Sequence, residues 1–209
     1  MRELIRAIRV TLVLWGITAI IYPSILLLIS QIAFNSQANG SLITKPGVVV
    51  GSSLIGQPFR SNQYFWSRPS TTNYSSFATE DYAPTKAENL SQTTGSSGAS
   101  NLAPSNSNLL KRGNKKDGFQ GVQIELDRLN KAGIKPTADL VYTSGSSLDP
   151  HISLEAARAQ IQRIATVRSL NLNQVEMLVA KNTDGRFLGI FGEPGVNVLK
   201  LNLALDRLQ

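Results

Sequence analysis

The longest apolar stretch of the chain lies near its N-terminus, where Val10 to Phe34 form an uncharged run of 25 residues. As an α-helix this run is roughly 37 Å long, which exceeds the ~30 Å hydrocarbon thickness of a bilayer. Pro23 lies near its middle and favours a kink, with Thr18 or Ser24 available to bond a freed carbonyl group. The pattern predicts one tilted transmembrane helix over residues 10–34.

Two other interpretations compete with a retained anchor. Ser36-Gln37-Ala38 fits the cleavage site of a signal peptide, but the apolar run is far longer than the core of such a peptide. A buried helix of a water-soluble core is disfavoured because the run carries no charge over its whole length.

Charges on the two sides of the run predict its orientation. Arg2, Arg6 and Arg9 precede it, and the next charge after it is Lys45. The positive-inside rule then predicts a cytoplasmic segment over residues 1–9 and an extracytoplasmic domain over residues 35–209.

Polar and aromatic clusters alternate in the first part of that domain. The β-branched run from Val48 to Ile55 predicts a strand with a bulge or turn at its glycine. Tyr64-Phe65-Trp66 beside Arg68 either packs against the fold or stacks on a sugar or base, and we expect packing. Ser, Thr, Asn and Gly make up more than half of residues 70–108, which predicts a long loop.

Residues 109–209 show the periodicity of a folded mixed α/β domain. Phe119 to Leu129 follow helical spacing, and Ser153 caps a predicted helix that runs to about Arg168. Asn171 begins another helix with a capping-box pattern. Further elements are a short strand at 140–142, a strand at 187–191 between turns at 184–185 and 193–195, and a final helix after residue 197.

Composition excludes several kinds of chemistry. The chain has 209 residues, no cysteine and one histidine, so it has no disulfide, thiolate nucleophile or multi-histidine metal site. The net charge is +7, and its densest part, which Asp117 closes, is made up of Lys111, Arg112, Lys115 and Lys116. Because the remaining positive charge is scattered, we expect a solvated or lipid-facing surface and no nucleic-acid partner.

No motif predicts a reaction. The phosphate loop, the dinucleotide fingerprint and the nucleophile elbow of hydrolases are missing from the sequence. His151 is the only residue from which a serine-hydrolase triad could be assembled, and Asp149-Pro150 before it is typical of a structural turn. Glu193 next to Pro194 is likewise expected to be a turn residue. We therefore predict no catalytic residue and no metal site.

Several segments, in order along nearly the whole chain, resemble one family: the C subunit of the bacterial Kdp-type potassium-transporting P-type ATPase, the KdpC family. The matching segments are Gln37–Ile43, Gly51–Gln57, Tyr64–Phe65, Arg68–Ser70, Ser100–Ala103 with Ser105–Asn106, Leu148–Ser153, Gln160 with Arg163, Gly192–Pro194, Val196–Leu199 and Leu201–Asp206. Ser147, Leu154 and Gly195 depart from the family pattern, which usually has glycine, proline and a larger residue there.

The resemblance implies an accessory, non-catalytic subunit of a high-affinity, ATP-driven potassium importer in the bacterial inner membrane. Its implied partners are a channel-like potassium-translocating subunit, an ATP-hydrolysing P-type subunit, a small membrane subunit and the lipid bilayer. The chain lacks the phosphorylation motif of P-type ATPases and a potassium filter. The fold expected is thus α/β, a single transmembrane helix followed by a mixed α/β extracytoplasmic domain with a long Ser/Thr/Asn-rich loop.

A role of the family as a catalytic chaperone, which raises the ATP affinity of the hydrolysing subunit, is also implied. Gln160 lies at the position that resembles the family's proposed nucleotide contact, and ATP is the only cofactor implied, through the complex. This conflicts with the orientation predicted from charge, because ATP is cytoplasmic. Since insertion energetics favour that orientation, the ATP effect is expected to be indirect or to have a different geometry. An unrelated membrane-anchored binding domain is the remaining alternative.

Overall fold

The computed structural model describes residues 1–76, 95–112 and 118–208. It divides into two compact units, Met1–Val50 and Gly51–Gln209. Residues 77–94 of the predicted loop and the basic positions Lys115 and Lys116 lie outside the described residues.

The first unit is dominated by one long apolar helix. It consists of α1 (Arg2–Gly16), a π-helical segment (Ile17–Ile21) and α2 (Tyr22–Ala33). The whole stretch Arg2–Ala33 has a mean hydropathy of 2.3 in its most apolar window and buries none of its side chains, and its length and composition suit a membrane span. The predicted apolar helix is confirmed, but it begins eight residues before Val10 because the basic flank is helical as well.

The π-helical segment comes directly before Pro23. The Tyr22 N–H bonds the Ile17 carbonyl, one residue further back than in an α-helix, so the change in register accompanies the proline. The Thr18 hydroxyl donates to the Leu14 carbonyl at 2.8 Å, one turn earlier. After the helix come the short α3 (Asn35–Ala38) and a two-stranded sheet of β1 (Leu42–Lys45) and β2 (Val48–Ser52).

The second unit is built mainly from helices around a small antiparallel sheet. The sheet has the order β3 (His151–Ile152), β5 (Gly195–Asn197), β4 (Thr183–Asp184), with His151 opposite Asn197 and Thr183 opposite Val196. Its helices are α4 (Ser107–Leu110), α5 (Val122–Lys131), α6 (Ala138–Val141), α7 (Leu154–Arg158), α8 (Ile161–Arg168), α9 (Leu172–Lys181) and α10 (Val198–Leu205).

The core of this unit is formed where the helices meet the sheet. Because burying an apolar side chain is worth about 1.5–3 kcal/mol, these contacts hold the unit together. The largest fully buried apolar side chains are Phe65, Phe119, Leu129, Ile134, Leu140, Ile152, Ile164, Leu201 and Leu205. The mixed α/β architecture expected from the sequence is thereby confirmed for this unit.

Helix caps agree well with the sequence. The Ser153 hydroxyl accepts from the Ala156 N–H, and Asn171 with Gln174 forms the complete capping box. Asn197 caps the final helix through the Lys200 N–H at 3.1 Å. These side chains satisfy the free N–H groups that every helix start leaves behind.

Three predictions of secondary structure were wrong. Residues 140–142 are not a strand, because α6 occupies Ala138–Val141 and Tyr142 only caps it. The helix predicted from Leu154 to Arg168 breaks between Arg158 and Ile161. Phe187 and Phe191 form a single bridge that closes a tight turn, and the strands lie on either side of it.

Candidate functional site

A stretch of irregular backbone, Asn62–Trp66, is held by side chains instead of by a helix or sheet; we call it the pinned segment. Asn202 on α10 bonds it in both directions, because its amide oxygen accepts from the Phe65 N–H at 2.8 Å and its amide nitrogen donates to the Phe65 carbonyl at 3.0 Å. Buried backbone groups need such partners, and here a side-chain amide replaces a neighbouring strand.

Gln160 makes the same two-way contact with the next residue. Its Oε1 accepts from the Trp66 N–H at 2.7 Å, and its Nε2 donates to the Trp66 carbonyl at 3.2 Å. The same Oε1 also accepts from Arg163 Nη2 at 2.8 Å, and Nε2 reaches the Ala156 carbonyl at 3.3 Å. The side chain is fully buried at the break between α7 and α8.

This geometry bears directly on the predicted nucleotide contact of Gln160. Both polar atoms of its amide have two hydrogen-bond partners within the fold, and no part of the residue reaches solvent. A nucleotide would have to displace at least one of these bonds to reach the amide. The nucleotide contact itself stays a prediction.

Two arginines complete the attachment of the pinned segment. Arg163 donates to the carbonyls of Asn62 and Tyr64, the second at 2.9 Å. Arg168 donates to the Gln63 carbonyl at 2.8 Å and pairs with Asp206 at 2.8 Å. Charged donors make stronger hydrogen bonds than neutral ones, so these two side chains reinforce the amide contacts.

Two guanidinium groups lie over the ring of Trp66. Arg128 and Arg163 each stand 4.5 Å from the centre of its ring, so cations and packing occupy its surroundings and only 4% of the residue is exposed. Burial, with the nearby charge of Arg128, lowers the pKa of Arg163 to about 10, which still leaves it charged at neutral pH. The expected packing role of the aromatic cluster is confirmed for Phe65 and Trp66. Trp66 is too deeply buried to stack on a sugar or base.

A cleft of about 370 Å³ opens next to this network, with Arg60, Arg128 and Glu125 in its lining. Burial raises the pKa of Glu125, although its ion pair with Arg128 at 2.8 Å opposes the shift. Phe59, Phe119 and Tyr74 supply apolar walls. The acid of the cleft is therefore paired with an arginine, and the hydroxyl groups of Ser67, Ser70 and Tyr74 in its lining donate to backbone carbonyls.

His151 lies between two carboxylates. Its Nδ1 is 3.3 Å from Asp149 Oδ1, and its Nε2 is 3.5 Å from Asp184 Oδ2. The hydrogen bond to Asp149 raises the pKa of His151, and the Asp184 charge adds to the effect. For Asp149, burial favours the neutral acid, but hydrogen bonds from His151 and the Arg68 charge hold its pKa below the usual value.

This arrangement does not suit the hydrolase alternative. In a serine triad one imidazole nitrogen faces the nucleophile, whereas both nitrogens of His151 face carboxylates. The cluster links β3, which contains His151, to β4, which contains Asp184. We call Asp149, His151 and Asp184 the clamp. Glu193, the other candidate acid, pairs with Arg186 at 3.0 Å in an exposed turn. Across the described ranges no group of three or more His, Asp or Glu side chains could hold a metal ion.

Several residues of the network escape sequence reasoning. Asn202, Asn197 and Arg168 carry no motif that shows which distant backbone they bond. Ser147 gives a partial signal, because the resemblance leads one to expect glycine there and its φ is 57°, the left-handed conformation that glycine adopts freely. Its hydroxyl accepts from the Thr71 N–H at 3.1 Å, which ties residue 71 to the turn.

Comparison with known proteins gives one consistent result. The family model described as "KdpC: K+-transporting ATPase, c chain" matches residues 4–207. A potassium-transporting ATPase KdpC subunit of Microcystis aeruginosa is 64% identical, with 99% of this chain and 96% of the relative covered. KdpC subunits of a Nostoc and a Synechocystis species are 59% and 54% identical, covering 97% and 98% of those relatives and 100% and 99% of this chain.

Proposed function

The chain belongs to the KdpC family, the c chains of K+-transporting ATPases, and we propose that it assembles and stabilises its complex without hydrolysing ATP itself. Phosphorylation and hydrolysis are assigned to a separate P-type subunit and potassium passage to a channel-like subunit. A small membrane subunit completes the assembly, and nucleic acid has no part in it.

One observation carries this proposal: the helix Arg2–Ala33 exposes apolar side chains along its entire length. Such a surface is stable only in lipid or against other apolar helices. We assign residues 10–34 to the bilayer, where they pack against the channel-like subunit. This packing, and not a reaction at the buried network, is the contribution of the chain.

The test is to replace residues 10–34 by an unrelated transmembrane helix and, separately, to delete residues 1–34. We expect both variants to lose co-purification with the channel-like subunit and to lose potassium uptake at low external potassium. The replacement keeps the chain in the membrane, so it separates specific packing from simple anchoring. Full uptake with the deleted chain would contradict the proposal.

Residues 35–209 are assigned to the extracytoplasmic side and residues 1–9 to the cytoplasm, because three arginines precede the span. The chain has no native cysteine, so a single introduced one reports its own location. We expect Ala103→Cys, at an exposed position, to react with an impermeant thiol reagent in intact cells. Ala7→Cys, the matched control, should react only after permeabilisation. The reverse pattern would contradict the assignment.

An effect of this subunit on ATP affinity is proposed to be indirect and transmitted through assembly. The direct alternative, in which Gln160 touches the nucleotide, is supported by the resemblance at that position. Gln160→Ala decides between them: assembled complexes that carry it should keep their ATP affinity, although fewer of them should form. A weakened ATP affinity in correctly assembled complexes would favour the direct contact.

A further inference from the structure

The turn between β4 and β5 exposes four large apolar side chains in a row of five residues. Phe187, Leu188, Ile190 and Phe191 are 71%, 75%, 72% and 62% exposed, and we call Phe187–Phe191 the apolar turn. Single exposed apolar residues are ordinary on a protein surface, but a contiguous group of this kind marks an interaction site. None of the hydrogen-bond networks described above involves these side chains.

The backbone of the apolar turn is already closed on itself. The Phe187 N–H donates to the Phe191 carbonyl at 2.8 Å, and the Phe191 N–H donates back at 3.0 Å. The N–H groups of Gly189 and Ile190 donate to the carbonyls of Arg186 and Phe187, at 3.0 and 3.2 Å. The turn can therefore enter an apolar environment without stranding these N–H groups, and its preformed shape lowers the entropy lost on binding.

Leu188 adds a separate argument. Its φ is 54°, in the left-handed region that a bulky side chain avoids and glycine adopts freely. The chain thus accepts backbone strain at a position where the side chain gains almost no burial within the fold. Backbone strain that stabilises no contact within the fold is typical of binding surfaces.

The surroundings of the turn favour a protein pocket over lipid as the occupant. Arg186 and Glu193 pair at its base at 3.0 Å, so the turn presents no unpaired positive charge there to anionic headgroups. It also contains neither Trp nor Tyr, the aromatic residues that prefer the membrane interface. A neutral, rigid and purely apolar projection matches a shaped apolar pocket.

We propose that the apolar turn is an assembly contact that inserts into an apolar pocket on another protein subunit of the same complex, with Leu188 and Phe191 as its anchors. This inference rests on the proposed function, which makes the chain a subunit of a larger assembly.

The first test places a photocrosslinking residue at the turn in the intact complex. Phe191 is replaced by p-benzoylphenylalanine, and Tyr142, an exposed aromatic residue on another part of the unit, serves as the matched control. We expect position 191 to crosslink to another protein subunit and position 142 to give at least ten-fold less product. Adducts with lipid alone, or equal yields at both positions, would overturn the inference.

The second test separates docking from folding. We expect Leu188→Ser with Phe191→Ser to reduce retention in the purified complex at least ten-fold, while the melting temperature of the chain alone stays unchanged. Val167→Ser with Met177→Ser, which alters two other exposed apolar positions, on α8 and α9, should be retained normally. If the unsubstituted chain fails to co-purify, the proposed function fails; if it co-purifies and the turn variant does so equally well, only this inference fails.

Discussion

The pinned segment and the apolar turn place polar and apolar groups in opposite ways. Around Asn62–Trp66, charged and amide side chains are buried and nearly every one bonds a backbone group. At Phe187–Phe191, apolar side chains face outward and only the backbone is bonded. The buried polar groups of the pinned segment are satisfied within the fold, whereas the exposed apolar side chains of the turn are the ones for which we propose a partner.

The two regions should also differ in how much a substitution lowers the free energy of unfolding. Removing a buried hydrogen-bond partner strands the groups that depended on it, at about 1–3 kcal/mol for each buried group left unpaired. Changing an exposed side chain away from such features usually alters stability by less than about 0.5 kcal/mol. Substitutions in the pinned segment's network should therefore lower the stability of the folded chain, and substitutions in the apolar turn should leave its stability almost unchanged.

The largest effect is expected for Gln160→Ala. It removes the acceptor of the Trp66 N–H and of Arg163 Nη2, and the donor to the Trp66 carbonyl. We expect the free energy of unfolding to fall by about 3 kcal/mol. The measurement is denaturant unfolding of the full chain in detergent, followed by Trp66 fluorescence in a Trp15→Phe background, which leaves one tryptophan.

Gln162→Ala is the matched control, because Gln162 is exposed and lies two residues further along, in α8. It should change the free energy of unfolding by less than about 0.5 kcal/mol. Equal effects of the two alanine variants would show that the buried amide has no special part in stability and would break the contrast.

A somewhat smaller loss is expected for Asn202→Ala, about 2 kcal/mol, because it strands only the N–H and carbonyl of Phe65. Combining it with Gln160→Ala tests whether the two amides act as one unit. They hold adjacent residues, so the double variant should lose less than the sum of the single losses, since the segment detaches once. Strict additivity would contradict a jointly held segment.

Local patterns in the sequence predict the helices and their starts. Ser153, Asn171 and the apolar spacing up to Leu129 depend on interactions within a few residues, and the structure confirms them, although the last helix begins at Val122 and leaves Phe119 outside it. The apolar helix is also readable, because its length and lack of charge decide its environment without reference to any other part of the chain.

Contacts between residues far apart in the chain could not be predicted from the sequence. Gln160 and Trp66 are 94 residues apart, and no periodicity links an amide to the backbone it bonds. The break in the helix at residues 159–160 positions the Gln160 amide. The sequence does not indicate this break, because alanine and glutamine both favour helices. The apolar run 187–191 resembles a strand by composition, yet the pairing partners of β5 lie at residues 151–152 and 183–184.

The clamp formed by Asp149, His151 and Asp184 should make the stability of the chain depend on pH. The pKa of His151 is raised in the folded state, so its contribution is complete below the unfolded value of 6.5 and is lost as pH rises through the folded value. The pKa of Asp149 is lowered, so its contribution is present above 3.8 and is lost as pH falls through the folded value. Both contributions coincide in mildly acidic solution.

We therefore expect the free energy of unfolding to decline between about pH 6 and about pH 8.5. Because His151 is more than one-third exposed, solvent screening keeps this decline below about 1 kcal/mol. Unfolding curves at the two pH values measure it, and His151→Gln should remove most of the dependence. An identical decline in that variant would assign the effect to other groups.

The smallest effect is expected for Leu188→Gly, a substitution in the apolar turn. Glycine relieves the left-handed strain at φ of 54°, but it also gives the unfolded chain more freedom, and these two terms oppose each other at about 1 kcal/mol each. The free energy of unfolding of the chain alone should thus change by less than about 0.5 kcal/mol. A loss near that of Gln160→Ala would mean that the turn supports the fold, and its apolar side chains would then no longer need a partner to explain them.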